Sequence, residues 1–165
     1  MEITPKSLGV PARTDLPSVL SIDSDDRGRH ALKNMIRQSY RTVHTATLHM
    51  GLKALRRIPF AVVLCNDELQ QGTSWHEVLH AIATLPAAPL LIVTSRLADE
   101  SLWAEALNLG AWDVLAKPFD EEEVSRVVSS AWHQWRSRNT SLSQPERMGG
   151  QSVAVPRLSS TAVCA

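Results

Sequence analysis

The sequence has few of the features that mark disulfide-rich or membrane proteins. It contains only two cysteines, Cys65 in a predicted buried strand and Cys164 in a predicted loose tail, so no disulfide framework is expected. Its apolar runs are far shorter than the roughly 20 residues that a transmembrane helix needs. The N-terminus lacks the basic-then-apolar pattern of a signal peptide. We therefore expect a cytoplasmic protein that makes no membrane contact.

The sequence also lacks an excess of charge of either sign. Lysine and arginine total 17, as do aspartate and glutamate, which gives a formal net charge of zero. A chain without net charge has no general electrostatic attraction for nucleic acid or an anionic membrane, and we expect neither as a partner. The 165 residues, of which 44% are hydrophobic, suffice for one domain with a real core.

Short apolar runs, each followed by polar residues, are the main pattern that the sequence does contain. The strongest is Pro59–Asn66, which is rich in valine. An unbroken apolar run of this length is typical of a strand that is buried on both faces of a parallel sheet. Similar runs predict strands at Val19–Asp23, Pro89–Thr94 and Val114–Lys117, and an alternating segment predicts an edge strand at 41–46.

Segments with apolar residues at helical spacing separate these strands. Strands that alternate with helices in this way predict an α/β fold, a (βα)5 doubly wound, five-stranded parallel sheet. We place this domain at residues 18–136, after a disordered leader at 1–17 and before a flexible tail at 137–165. The polar residues at the strand ends should share one rim of the sheet, where open α/β folds bind ligands: Asp23, Asn66, Thr94 and Lys117.

Four segments resemble the receiver domain of bacterial response regulators, of the chemotaxis-regulator type. They are Val19–Asp23, Val62–Asn66, Leu91–Ser95 and the Gly110-Ala motif that continues to Lys117-Pro118-Phe119. The resemblance covers roughly Ser18 to Trp135. It implies a flavodoxin-like strand order of 2-1-3-4-5 and a cis peptide bond before Pro118.

The resemblance also implies a role for each residue at the rim. In the family, two acids after the first strand hold Mg2+, an aspartate after the third strand accepts the phosphoryl group, and a nearby backbone carbonyl completes the metal site. A threonine or serine and a lysine contact the phosphoryl group, and an aromatic residue on the last strand acts as a switch. The matching positions are, in that order, Asp23 with Ser24, Asn66, Glu68, Thr94, Lys117 and Val114.

Three of these positions depart from the family pattern. The amide of Asn66 is neutral and a poor nucleophile, so phosphoryl acceptance at this position should be lost. Mg2+ is generally held by carboxylates, and Asn66 and Ser24 remove two of them. We therefore expect a degenerate Mg2+ site of Asp23, Asn66 and Glu68 that is weak or empty, and no other cofactor. Val114 is too small to act as the switch.

The sequence thus predicts a stand-alone atypical receiver, a pseudo-receiver in two-component signalling that is not an enzyme. It would act by protein–protein contact, with a histidine kinase or another signalling protein as partner. The family's usual docking face is helix four, strand five and helix five, near Trp103 and Trp132 here. We expect a monomer or a weak homodimer, with no DNA-binding or enzymatic output domain after residue 136.

Two alternatives remain open. Asp67 could accept a phosphoryl group in a conventional phosphorelay, although a shift of one residue along a strand places it on the face opposite Thr94 and Lys117. The segment from His76 to His80 also matches the H-E-x-x-H pattern of zinc hydrolases. However, Glu77 is equally explained by a capping box with Ser74 at the start of a helix, with both histidines on its solvent flank.

Overall fold

A five-stranded parallel sheet forms the centre of the protein, as predicted. The computed structural model describes residues 16–142. Its strands follow the order β2-β1-β3-β4-β5, which confirms the (βα)5 doubly wound fold and the order 2-1-3-4-5. Their bounds are Ser18–Ile22 for β1, Arg41–Thr45 for β2, Val62–Asn66 for β3, Leu90–Ser95 for β4 and Asp113–Ala116 for β5.

Five α-helices connect and follow the strands. They are α1 at Asp26–Ile36, α2 at Leu48–Leu55, α3 at Trp75–Ala83, α4 at Glu100–Leu109 and α5 at Glu121–Leu142, and a short 3-10 helix at Gln70–Gly72 precedes α3. The side chains of Asp25, Thr47 and Asp99 accept backbone N–H groups at the starts of α1, α2 and α4. Gly110 ends α4 at a φ of 104°, a left-handed conformation that favours glycine.

The sheet is covered on both faces, and each face has its own hydrophobic core. On one face, residues such as Val19 and Leu64 pack against α1 and α5. On the other, Leu20 and Val63 pack with residues of α2, α3 and α4. Side chains of a strand point alternately to the two faces, so the position of a residue in this alternation decides which core it joins. This alternation also decides which side chains meet at the rim.

Helix α2 packs very closely on strand β1. A Cβ atom built on Gly51 would lie 2.7 Å from Cδ1 of Ile22, closer than two carbon atoms pack. Glycine at position 51 therefore allows the close packing of α2 against the β1 side of the sheet.

Two details of the helices differ from the sequence interpretation. Ser74 stands at the start of α3, but its Oγ contacts Nδ1 of His76 at 3.2 Å and makes no capping bond, so the predicted capping box is wrong. Helix α5 continues to Leu142, beyond the predicted domain end at residue 136. Side-chain bonds within α5, from Asn139 to the Trp135 carbonyl and from Thr140 to the Arg136 carbonyl, accompany this extension.

The predicted leader, except for its last two residues, and the tail after Leu142 lie outside the described residues. Among residues 16–142, no helix is both long and apolar enough to cross a bilayer.

Candidate functional site

The carboxyl ends of the strands bring the predicted rim residues together. Asn66 lies beside Thr94 in the register of β3 and β4, and Asp23 directly follows the pair formed by Ile22 and Cys65. Lys117 follows the end of β5, and its backbone N–H donates to the Ser95 carbonyl at 2.7 Å. A pocket of about 310 Å³ opens at this rim, and its walls include Asp23, Asn66 and Lys117.

The ammonium group of Lys117 lies at the centre of the site. Its Nζ donates to Oδ2 of Asp23 at 2.6 Å and to Oδ1 of Asn66 at 2.7 Å. The side chains of Lys117 and Asp23 are only 7% and 6% exposed, so water has little access to this ion pair. A buried carboxylate needs such a partner, because an unpaired charge away from water is costly.

The amide of Asn66 makes a second bond that a carboxylate does not make. Its Nδ2 donates to the backbone carbonyl of Glu68 at 2.7 Å, while its Oδ1 accepts from Lys117. The other oxygen of Asp23, Oδ1, accepts the backbone N–H of Asp25 at 2.8 Å. Three groups were predicted to bind the metal ion: the side chains of Asp23 and Asn66 and the backbone carbonyl of Glu68. Each of them accepts a hydrogen bond from another group of the protein.

Asp67 lies at the edge of the same pocket but has different partners. Its Oδ2 accepts the hydroxyl of Ser95, and its Oδ1 accepts the backbone N–H of Glu68 at 2.9 Å. Ser95 follows Thr94 just as Asp67 follows Asn66, so the two residues occupy corresponding positions one step along their strands. Asp67 is therefore bonded to Ser95, the neighbour of Thr94, and it lines the same pocket as Lys117.

Sequence reasoning missed an ion pair across the mouth of the pocket. Nη2 of Arg96, in the loop after β4, lies 2.9 Å from Oδ2 of Asp25 at the start of α1. Asp25 also caps α1, since its Oδ1 accepts the Arg27 N–H at 3.1 Å. The hydrogen bond from Arg96, followed by that from the Arg27 backbone, lowers the pKa of Asp25.

The positions that match the family's hydroxyl and switch residues are both buried. Thr94 is 2% exposed, and Val114 is 0% exposed within the core that faces α3 and α4. The side chain of Ser24 lines the rim pocket and is half-buried. The Lys117–Pro118 peptide bond is cis, as the resemblance implied.

The H-E-x-x-H segment lies apart from this site, at the start of α3. Nε2 of His76 lies 3.0 Å from Oε1 of Glu105 on α4, and its ring stacks on Trp75 with 3.9 Å between centroids. His80 and Glu77 are exposed. In the described part of the chain, no three histidine, cysteine, aspartate or glutamate side chains are arranged to hold a metal ion.

Comparison with known sequences agrees with the observed fold. A family model described as response regulator receiver domain matches residues 19–129. The transcriptional regulatory protein ZraR of Salmonella typhimurium is 27% identical over 125 residues, which cover 75% of this chain and 28% of ZraR. ZraR of Salmonella typhi matches to the same extent. The chain thus spans just over a quarter of the length of these relatives.

Solved structures show the same fold. The signal receiver domain of an HD domain-containing protein from Pseudomonas fluorescens superposes with a TM-score of 0.68 at 20% identity, covering 82% of this chain and 98% of that one. A CheY-like receiver domain protein from Methanospirillum hungatei gives a TM-score of 0.66 at 20% identity, covering 75% of this chain and 99% of that one.

Proposed function

Because this chain belongs to the response regulator receiver family, we propose that it acts in two-component signalling as a pseudo-receiver. It keeps the receiver fold and works through contacts with other proteins, and it no longer accepts a phosphoryl group at position 66. The proposal concerns residues 18–136. The cytoplasm is the location we propose.

The observation that carries this proposal is the position of the Lys117 ammonium. Its Nζ donates to Asp23 at 2.6 Å and to Asn66 at 2.7 Å. These are two of the residues that would hold the metal ion. The lysine thus supplies the positive charge that Asp23 requires, from within the protein. Phosphoryl transfer to a carboxylate needs an anionic oxygen, together with cations that offset the charge of the transition state. Asn66 provides no such oxygen.

The residues at the rim do not fit a Mg2+ ion. This ion prefers carboxylate oxygens and sheds its water reluctantly, and Asp23 is the only acid left at the three family positions. Its Oδ2 is bonded to Lys117, and the Glu68 carbonyl accepts the Asn66 amide. A Mg2+ ion would have to displace both bonds without the charge of a second carboxylate. We therefore propose that the rim pocket functions without a bound Mg2+ ion or other cofactor.

Receiver domains interact with kinases and effector domains. For this chain, we propose a signalling protein such as a histidine kinase as the partner, docked on α4, β5 and α5. Exposed apolar side chains support this face, because Leu107 and Leu109 of α4 are 47% and 54% exposed and Leu97, just before α4, is 81% exposed. Leucines at both ends of α4 are thus accessible to a partner. The free protein would be a monomer or a weak homodimer.

The second candidate function is phosphorylation of Asp67, which lies at the edge of the same pocket.

Incubation with acetyl phosphate and Mg2+, followed by intact-mass measurement, tests the pseudo-receiver proposal and the Asp67 candidate together. We expect no phosphoryl adduct, and no change in tryptophan fluorescence with beryllofluoride. An acid-labile adduct on the wild type would contradict the proposal. If that adduct disappeared in Asp67→Asn but persisted in Asp99→Asn, a capping residue outside the pocket, Asp67 would be the acceptor.

A further inference from the structure

A second, largely apolar groove lies next to the rim pocket. It has a volume of about 390 Å³ and runs between the first half of α1 and the loops after β4 and β5. Gly28 and Ala31 of α1 form one wall, and Pro118 and Phe119 form the opposite one. This volume falls within the range of about 300–1,000 Å³ that is typical of small-molecule sites. Of the residues that the family uses for phosphoryl chemistry, only Lys117 lines this groove.

The small residues of α1 keep the groove open. A Cβ atom added to Gly28 would lie 3.3 Å from Oδ2 of Asp23 and 3.6 Å from Cε of Lys117, so α1 lies directly against the buried ion pair at this point. Ala31, one turn further, is half-buried and lines the groove together with Phe119. A larger side chain at position 31 would occupy part of the groove.

The charges at the groove leave one cation uncompensated. Lys117 is paired with Asp23, and Arg96 with Asp25. Arg27, whose side chain also lines the groove, has no ion-pair partner among residues 16–142. An apolar groove with one free guanidinium at its edge is complementary to a molecule that has an apolar body and one negative charge. Guanidinium binds a carboxylate through two parallel hydrogen bonds.

We propose that this groove binds a small organic carboxylate with an aromatic or branched apolar body. The body packs between Ala31 and Phe119, where an aromatic ring can lie against the Phe119 ring. The carboxylate pairs with Arg27. A single negative charge matches the single uncompensated cation, whereas a phosphate dianion would bring a second negative charge close to the carboxylate of Asp25. This binding does not depend on whether the rim pocket accepts a phosphoryl group.

The test is a titration of the full-length, 15N-labelled protein with 1-naphthylacetate, followed by NMR. We expect the amide signals of Gly28, Ala31 and Phe119 to shift, with a dissociation constant on the order of 1 mM, as for a ligand of this size with modest efficiency. The neutral isostere 1-naphthylacetamide should bind at the same place about fivefold more weakly, because it lacks the charge that pairs with Arg27.

Three variants make the result specific. Arg27→Gln should weaken the affinity for 1-naphthylacetate to that of 1-naphthylacetamide. It should leave the affinity for 1-naphthylacetamide unchanged. Ala31→Leu should abolish binding of both, and its own spectrum reports whether it folds. Arg37→Gln, an exposed change at the far end of α1, should alter neither. The proposal is overturned if the acid shifts no groove signals, or if Arg27→Gln binds the acid as tightly as the wild type does.

Discussion

At position 66, the exchange of a carboxylate for an amide changes the bonding of its neighbours as well as its own reactivity. An amide can donate to the Glu68 carbonyl and accept from Lys117 at the same time, and Asn66 does both. An aspartate in the same orientation would place an oxygen 2.7 Å from the Glu68 carbonyl oxygen, where two acceptors repel each other unless a cation lies between them. The site is therefore adapted to the amide.

This bonding predicts how the family's metal site could be restored. Asn66→Asp alone should lower the free energy of unfolding by about 1–3 kcal/mol without Mg2+, because it loses the bond to Glu68. The double variant Ser24→Asp/Asn66→Asp should bind Mg2+ and gain about 1.4 kcal/mol at a Mg2+ concentration ten times its dissociation constant. Chemical unfolding with and without MgCl2 measures this gain. Equal stabilisation of the wild type by Mg2+ would contradict the prediction.

The buried ion pair of Lys117 and Asp23 predicts strong coupling between the two residues. Lys117→Met should destabilise the protein by about 3 kcal/mol or more, because it leaves the Asp23 carboxylate buried without its cation. Asp23→Asn in the same chain should recover at least about 1 kcal/mol of that loss, since the remaining groups are neutral. Urea unfolding of the wild type, both single variants and the double variant gives the coupling free energy. If the two losses simply add, Asp23 is not held by Lys117.

Among the elements, edge strand β2 contains a histidine without hydrogen-bond partners. Neither ring nitrogen of His44 has a partner among the described residues, although both are buried. Val43 packs in the core on the other face of the sheet, so the His44 ring faces α1. Burial lowers the pKa of His44, and the positive charges of Lys33 and Arg29 on α1 lower it further, against the smaller opposite effect of Asp23.

The lowered pKa of His44 predicts an acid-sensitive fold. The unfolded chain binds a proton near pH 6.5, whereas the folded protein binds it only at lower pH. The stability that neutral His44 contributes is complete above about pH 6.5 and is lost as the pH falls through the folded pKa. His44→Val, which suits a strand, should reduce the loss of unfolding free energy between about pH 7.5 and pH 5. The exposed His80→Gln should leave the wild-type loss unchanged, and an unaltered loss in His44→Val would refute the assignment.

The strands were predictable from the sequence to a degree that the loops were not. Apolar runs that end in polar residues placed Asp23, Asn66 and Lys117 at one rim, because parallel strands end on the same side of the sheet. The pair of Arg96 and Asp25 joins residues 71 positions apart through exposed loops, for which no periodic pattern exists. At Ser74, the sequence matched a capping box, but the nearby His76 ring competed for the hydroxyl.

At the scale of the whole molecule, β5 leads from the rim to the core beneath α4, one of the elements of the proposed docking face. Lys117 follows this strand at the rim, and Val114 lies three residues earlier, in the core that contains Ala106 of α4. In the family, an aromatic residue at this position moves between exposed and buried arrangements. Val114 is 0% exposed, and its side chain is short and branched. It therefore has no exposed arrangement like that of the family's aromatic residue. A change at the rim should therefore stay local.

The lack of a switch residue at position 114 predicts the outcome of a hydrogen-exchange experiment. With Mg2+ and beryllofluoride, Ser24→Asp/Asn66→Asp should show slower exchange in the loops after β1, β3 and β4, since bound ligand orders the groups that contact it. Exchange in α4 should stay unchanged, because Val114 transmits no movement. The wild type with the same additives serves as the control and should change in neither region. Slower exchange in α4 of the double variant would show that the rim and the docking face are coupled without an aromatic switch, and that the proposed isolation of the rim is wrong.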